Sequence, residues 1–177
     1  MLIGLTSRNA AGKDEVARYL VEHHGFRSFS LSDVLRRRLE SSGTQISRET
    51  LTAEGNRLRR EQGPGALAEI ALKDLEGIDK AVVISIRNPG EVETLRRRED
   101  FVLWGVDASV GVRFQRAFRR RRPDDPMTLE QFIKHEITEL EGSETEQQLV
   151  RVFEMSDRKI VNDGTLEELY SKVEELL

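Results

Sequence analysis

The sequence predicts an α/β protein built on a parallel β-sheet with helices on both faces. Three observations carry this. Short apolar segments alternate with longer amphipathic ones along the chain, the pattern of βα units. The first segment, residues 2–6, is an uninterrupted apolar run, as a strand covered on both faces requires. Residues 81–86 are apolar and rich in β-branched side chains and read as a central strand.

The elements follow in order. After the strand at 2–6, residues 12–24 have helical spacing, with Val16, Ala17, Leu20 and Val21 on one face and Gly25 as terminator. Residues 26–31 alternate as a second strand. Ser32 is a good N-cap for a helix to about Leu39. Residues 50–61 form another helix, Gly63-Pro64-Gly65 breaks the chain, and residues 66–75 are helical again. After the strand at 81–86, Pro89 suits the first turn of a helix to about Arg98. Residues 101–106 make a fourth strand and 110–120 a helix, interrupted by Pro123-Asp124-Asp125-Pro126. Helices at 128–140 and 144–155, a short strand at 159–161 and a closing helix at 165–177, capped by Thr165, complete the chain.

The chain has 177 residues, enough for one sizeable core and too few for two comfortable domains. Its net charge of −4 argues against bulk nucleic-acid binding, which favours a basic surface. Of the 28 basic residues, 22 are Arg. Arginine offers a planar fork of donors that grips phosphate, although genome composition accounts for such a bias equally well. There is no cysteine, which removes disulfides, thiolate catalysis and cysteine-zinc sites. No apolar run approaches the ~20 residues of a membrane span, and no basic-then-apolar leader opens the chain, so a cytoplasmic location without membrane association is expected. No helix carries an apolar seam beyond what the core requires, and no oligomeric state follows.

Between the first strand and the first helix stands Ser7-Arg8-Asn9-Ala10-Ala11-Gly12-Lys13-Asp14, a match to the phosphate-loop pattern G-x-x-x-x-G-K-[ST] at Gly12 and Lys13. The physics suits phosphate. Backbone N–H groups and the helix dipole at a helix N-terminus attract anions. Ala10, Ala11 and Gly12 leave the backbone approachable, and Lys13 adds a full charge. Ser7 replaces the first glycine. Asp14 replaces the hydroxyl that normally ligates Mg²⁺; it is an oxygen ligand for that ion, and equally an acid favoured at a helix N-terminus.

Candidates for the acceptor follow the later strands. Asp33 and Arg36, three apart, share a helical face where open α/β sheets bind ligands; the same spacing fits a surface ion pair. Arg87 leaves the central strand at the same carboxyl edge, where phosphate is a natural partner and Glu91 another. Arg113, Arg116 and Arg120 share one face of a basic segment that continues through residues 119–122, suited to close over phosphates, and equally to lie solvated or to form a nucleic-acid patch. His23, His24 and His135 carry no metal-ligand pattern.

These residues resemble the nucleoside-monophosphate kinases and dephospho-CoA kinases of the P-loop class, an adenylate-kinase-like group, over nearly the whole chain. Asp33 and Arg36 match the acid and arginine of a Gly-Asp-x-x-Arg segment, with Ser32 at the glycine. Ile84-Ser85-Ile86-Arg87 followed by Glu91 is similar to Asp-Gly-Ile-Arg followed by Glu; Arg87 matches, and Ile84 stands at the acid that helps organise Mg²⁺. Arg116, Arg120 and Arg122 fall in the arginine-bearing lid, and Asp124-Asp125-Pro126 resembles that of close relatives. Asn162-Asp163-Gly164-Thr165 resembles the dephospho-CoA kinase ending, where a loop borders the adenine.

The resemblance implies a three-layer P-loop kinase fold as a single domain over residues 1–177: a five-stranded parallel sheet in the order 2-3-1-4-5, an acceptor-binding insert at about 33–64 and an arginine-rich lid at about 119–140. ATP and Mg²⁺ are the implied cofactors. Asn9, Ala10, Ala11, Gly12, Lys13 and Asp14 would hold the donor phosphates, with Arg116, Asn162 and Gly164 around the nucleotide. Asp14 would ligate the metal. Asp33, Arg36 and Arg87 would bind the acceptor, and Lys13, Asp33, Arg87 and Arg120 would act in catalysis. The implied reaction is phosphoryl transfer to a small nucleotide, first a deoxynucleoside monophosphate and second dephospho-CoA. The departures at Ser7, Asp14 and Ile84 support an alternative, a catalytically weak nucleotide-binding regulatory protein.

Overall fold

The computed structural model describes residues 1–120, 128–139 and 147–177. The chain opens with β1 (Leu2–Ser7), α1 (Lys13–His24), β2 (Arg27–Ser30), α2 (Leu31–Ser41), α3 (Arg48–Gln62) and α4 (Ala66–Asp74). It continues with β3 (Ala81–Ile84), α5 (Pro89–Leu95), β4 (Phe101–Asp107), α6 (Val110–Arg120) and α7 (Leu129–Glu139). Then come α8 (Leu149–Glu154), β5 (Arg158–Val161) and α9 (Leu166–Glu174).

The five strands form one sheet in the order β2-β3-β1-β4-β5, and every pairing is parallel. This is the order that the resemblance implies. Strand alternation divides the core into two layers. Leu2, Val83 and Leu103 join Leu31, Leu67, Val92 and Val152 on one face, under α2, α4, α5 and α8. Ile3, Leu5, Val82 and Trp104 join Val16, Leu20, Leu169 and Val173 on the other, under α1 and α9. Each of these large apolar side chains contributes about 1.5–3 kcal/mol by leaving water. β1 lies in the middle, so the loop at its end opens at the centre of the sheet's carboxyl edge. No described helix is long and apolar enough to cross a membrane.

Several boundaries differ from expectation for local reasons. α2 starts two residues earlier, with Ser30 rather than Ser32 at its N-cap. Ser30 makes no capping bond, because its hydroxyl faces Ser32 and Ser85 instead. α3 begins at Arg48 because Ser47 and Thr50 form a reciprocal capping box. β3 stops at Ile84 because Ser85 takes a left-handed φ of 64°. α8 spans Leu149–Glu154 only; the expected helix start at Glu144 lies outside the described residues, as do Arg121, Arg122 and Pro123-Asp124-Asp125-Pro126.

Helices α2 and α3 are joined by Glu54. Its carboxylate accepts from Arg57 (Nε 2.9 Å, Nη2 2.8 Å) and from Arg38 of α2 (Nε 2.9 Å). Arg57, and then Arg38, hold the Glu54 carboxyl below the usual carboxylate range. A depressed folded pKa gives stability that is full above the ordinary value and is lost as pH falls through the folded one. Glu54→Gln is therefore expected to lower Tm at neutral pH. That deficit should vanish on acidification through the carboxylate range, as read by thermal melts of both proteins across pH.

Candidate functional site

The loop from Ser7 to Lys13 has the geometry of an anion cradle. Gly12, the N-cap of α1, sits at φ 104°, and Ala10 at φ 59°. Both are left-handed, so the turn exposes successive N–H groups at the start of α1. Ala11 is fully buried and anchors the turn. Its carbonyl accepts from Asn162 Nδ2 at 2.8 Å and from Arg116 Nη1 at 3.4 Å. A side chain at position 12 meets two obstacles, the positive φ and Asn162 Nδ2 at 2.4 Å from an added Cβ. Gly12→Ala is therefore expected to cost about 1–3 kcal/mol of stability. It should also weaken ATP binding at least about tenfold, which calorimetry would read.

The Lys13 ammonium lies against the Asp14 carboxylate at the mouth of the loop. Lys13 is mostly enclosed, with its side chain 20% exposed, whereas Asp14 is 75% exposed. Asp14 thus reaches solvent beside the Lys13 ammonium. Among the described residues, no three His, Cys, Asp or Glu converge as a metal cage. Mg²⁺ in general uses one or two carboxylates together with substrate phosphates and water. Asp14 fits as such a carboxylate; Ile84 contributes none.

The loop opens into a cavity of about 1120 Å³. Its lining joins the donor-side residues Asn9, Ala10, Gly12, Lys13, Asp14, Arg116 and Arg120 to the acceptor-side candidates Asp33, Arg36 and Arg87. Asp33 and Arg36 face one another at 3.8 Å, both well exposed. Such a pair is weak in water and leaves both groups available to a ligand. Arg120 Nη2 approaches Asn9 Oδ1 at 3.4 Å, and Arg116 Nη2 approaches Asn162 Oδ1 at 3.4 Å. Arg116 and Arg120 of α6 therefore overhang the loop.

Arg87 is held from behind. Glu91, fully buried, accepts the backbone N–H of Arg87 at 2.8 Å and of Asn88 at 3.1 Å. Its other oxygen receives Arg59 Nε at 3.0 Å and Nη2 at 2.7 Å, with the two side chains 2% and 0% exposed. The expected alternative, a side-chain pair between Arg87 and Glu91, is replaced by this arrangement. Glu91 holds the Arg87 backbone, and the guanidinium turns to Gln147 Oε1 at 2.9 Å.

Two placements differ from expectation. Arg113 does not join Arg116 and Arg120 over the phosphates. It is buried, donates to Ala108 O at 2.8 Å and pairs with Glu136 of α7. Gly164 lies outside the cavity lining, and Asn162 acts as a brace for the loop. Asp107, at the end of β4, was not anticipated. It accepts the Ala108 N–H at 2.8 Å and faces Arg8 at 3.5 Å and Arg113 at 3.7 Å. The signal was a charge leaving an apolar strand at the carboxyl edge, the same one that marks Arg87. Arg59 carried no such signal, because its partner is 32 residues away.

No protein-family model matches the chain. Full-length relatives do. The UPF0200 protein of Pyrococcus horikoshii is 31% identical over 184 residues, covering 100% of this chain and 96% of that one. That of Pyrococcus furiosus is 33% identical over 184 residues, with 100% and 96% covered. The chain belongs to the UPF0200 family. Among solved structures, TT1252 from Thermus thermophilus superposes with a TM-score of 0.64 at 17% identity, covering 99% of this chain and 95% of that one. Shikimate kinase from Acinetobacter baumannii gives 0.59 at 19%, covering 99% and 91%. A gluconokinase from Sinorhizobium meliloti gives 0.55 at 15%, covering 98% and 91%. At these identities the likeness concerns the fold, which is that of the P-loop kinases.

Proposed function

We propose that the protein is an ATP- and Mg²⁺-dependent phosphotransferase acting on a small nucleotide, a (deoxy)nucleoside monophosphate or dephospho-CoA. The observation that carries this reading is the single cavity into which the phosphate loop, the overhanging arginines and the acceptor-side charges all open. A protein that only stored a nucleotide would need the loop alone.

In this reading Lys13 and the amides of residues 10–13 bind the donor β- and γ-phosphates. Asp14 would hold Mg²⁺, which would neutralise phosphate charge when bound. A negatively charged nucleotide offers Lys13 a stronger partner than Asp14, so binding separates that pair. Arg36 and Arg87 bind the acceptor phosphate, and Asp33 orients an acceptor hydroxyl. Arg116 and Arg120 lie where they would neutralise charge on the transferring group. Catalysis in this class is mostly positioning and charge neutralisation, which suits a site made of arginines and backbone amides.

A second reading, nucleotide binding without turnover, is favoured by the contact of Asp14 with Lys13 and by Ile84 at a position where related enzymes carry an acid. One assay separates the two. The protein is incubated with ATP, Mg²⁺ and each of a panel of nucleoside and deoxynucleoside monophosphates and dephospho-CoA, and ADP is measured. Acceptor-dependent ADP supports the phosphotransferase. ATP binding with no ADP on any acceptor supports the regulatory protein.

A further inference from the structure

Four hydroxyls at the acceptor end of the cavity have no part in the roles above. Thr6, next to last in β1, is buried, and its Oγ1 has no hydrogen-bond partner among the described residues. Ser85, the first residue beyond β3, is held at φ 64°. Residues with a Cβ avoid that conformation unless the surrounding structure imposes it, and they do so mostly at functional sites. Ser85 Oγ bonds Ser30 Oγ, at the end of β2, at 2.9 Å. Ser30 Oγ in turn bonds Ser32 Oγ, in the first turn of α2, at 2.8 Å. All four residues line the cavity. They run along the ends of the adjacent strands β1, β3 and β2, from the phosphate loop to Asp33.

The chemistry of this row is specific. Each hydroxyl has one proton and two lone pairs. The two bonds among the three serines leave one O–H free to donate and several lone pairs free to accept. Thr6 Oγ1 adds an unused donor and acceptor. A phosphate would call for donors alone, and Mg²⁺, a hard cation, for oxygen lone pairs alone. A row that both donates and accepts, and carries no charge, complements other hydroxyls.

We propose that Thr6, Ser30 and Ser85 bind the sugar hydroxyls of the acceptor, which is therefore a ribose-bearing rather than a deoxyribose-bearing nucleotide. The inference rests on the phosphotransferase reading of the cavity and narrows its acceptor. Ser85→Gly isolates the effect. It removes the hydroxyl and relieves the left-handed strain, so the protein is expected to keep its Tm or gain a few degrees while losing sugar discrimination.

The test is calorimetry of wild type, Ser85→Gly, Ser30→Ala and Thr6→Val. Each is saturated with Mg²⁺ and a non-hydrolysable ATP analogue, then titrated with AMP against dAMP, CMP against dCMP, GMP against dGMP and UMP against dUMP. In at least one pair the wild type is expected to bind the ribose form about tenfold or more tightly. Each substitution should bring that ratio towards one by weakening only the ribose form. A purely structural serine would lower Tm and leave the ratio unchanged. Monophosphates that bind with a ratio near one, or a ratio untouched by Ser85→Gly and Ser30→Ala, would overturn this inference alone. Binding of the ATP analogue with neither any monophosphate nor dephospho-CoA, titrated in the same way, would overturn it together with the acceptor reading. Failure of the analogue itself to bind would overturn the phosphotransferase reading as a whole.

Discussion

Glu91→Ala is expected to destabilise the protein by about 3–5 kcal/mol, the usual cost of leaving one member of a buried ion pair alone. Against a typical total of about 5–15 kcal/mol this is a large fraction. The mechanism is specific. Truncation strands the Arg59 guanidinium, which is 2% exposed, in the core between α3 and α5. It also removes the acceptor of two backbone N–H groups, those of Arg87 and Asn88. Urea unfolding of wild type and variant reads the difference. The double variant Arg59→Met with Glu91→Gln removes both charges and keeps an acceptor for the two N–H groups. It should recover most of the loss, since a buried ion pair contributes little beyond its own mutual compensation. A fall of less than about 1 kcal/mol in Glu91→Ala would mean that the pair does not carry the turn bearing Arg87.

Lys13→Ala is expected to give the largest functional loss. The lysine puts a full positive charge in the first turn of the loop's helix, and its side chain lines the cavity. Removing a preorganised charge of this kind lowers kcat on the order of 10²–10³-fold in comparable electrostatic sites. Stability should be little changed, because the ion pair lost is with the 75%-exposed Asp14. A steady-state ADP assay and a thermal melt of the same variant separate the two effects. Unchanged turnover in Lys13→Ala would remove the lysine from the chemistry.

The phosphate loop was legible in the sequence because everything that makes it is local. An apolar strand, a run of small residues, Gly-Lys and a helix follow one another without interruption over residues 2–24, and Gly12 adopts the positive φ that its lack of a Cβ permits. The sheet order was accessible through resemblance, and the apolar runs of β1 and β3 marked strands that bury both faces. What stayed hidden was non-local. Helical spacing put Arg113 with Arg116 and Arg120. Position along α6 does not reveal that Glu136, on another helix, draws Arg113 into the interior. Arg59 looked like one of many surface arginines until α3 brought it to Glu91. The end of β3 was misjudged because serine seldom takes a left-handed φ, so nothing in Ile84-Ser85-Ile86 announces a turn. The Ser30 cap was misplaced for a related reason. A hydroxyl that serves the cavity wall is indistinguishable, in sequence, from one that serves a helix.

The most direct measurement is a calorimetric titration of the protein with ATP in the presence of Mg²⁺, repeated on Lys13→Ala. Binding at one site per chain in the wild type, lost or weakened at least about tenfold in the variant, is the expected result for a loop that holds the donor phosphates. Equal affinity in Lys13→Ala, or no binding of either ATP or GTP to the wild type, would contradict a nucleotide site at this loop.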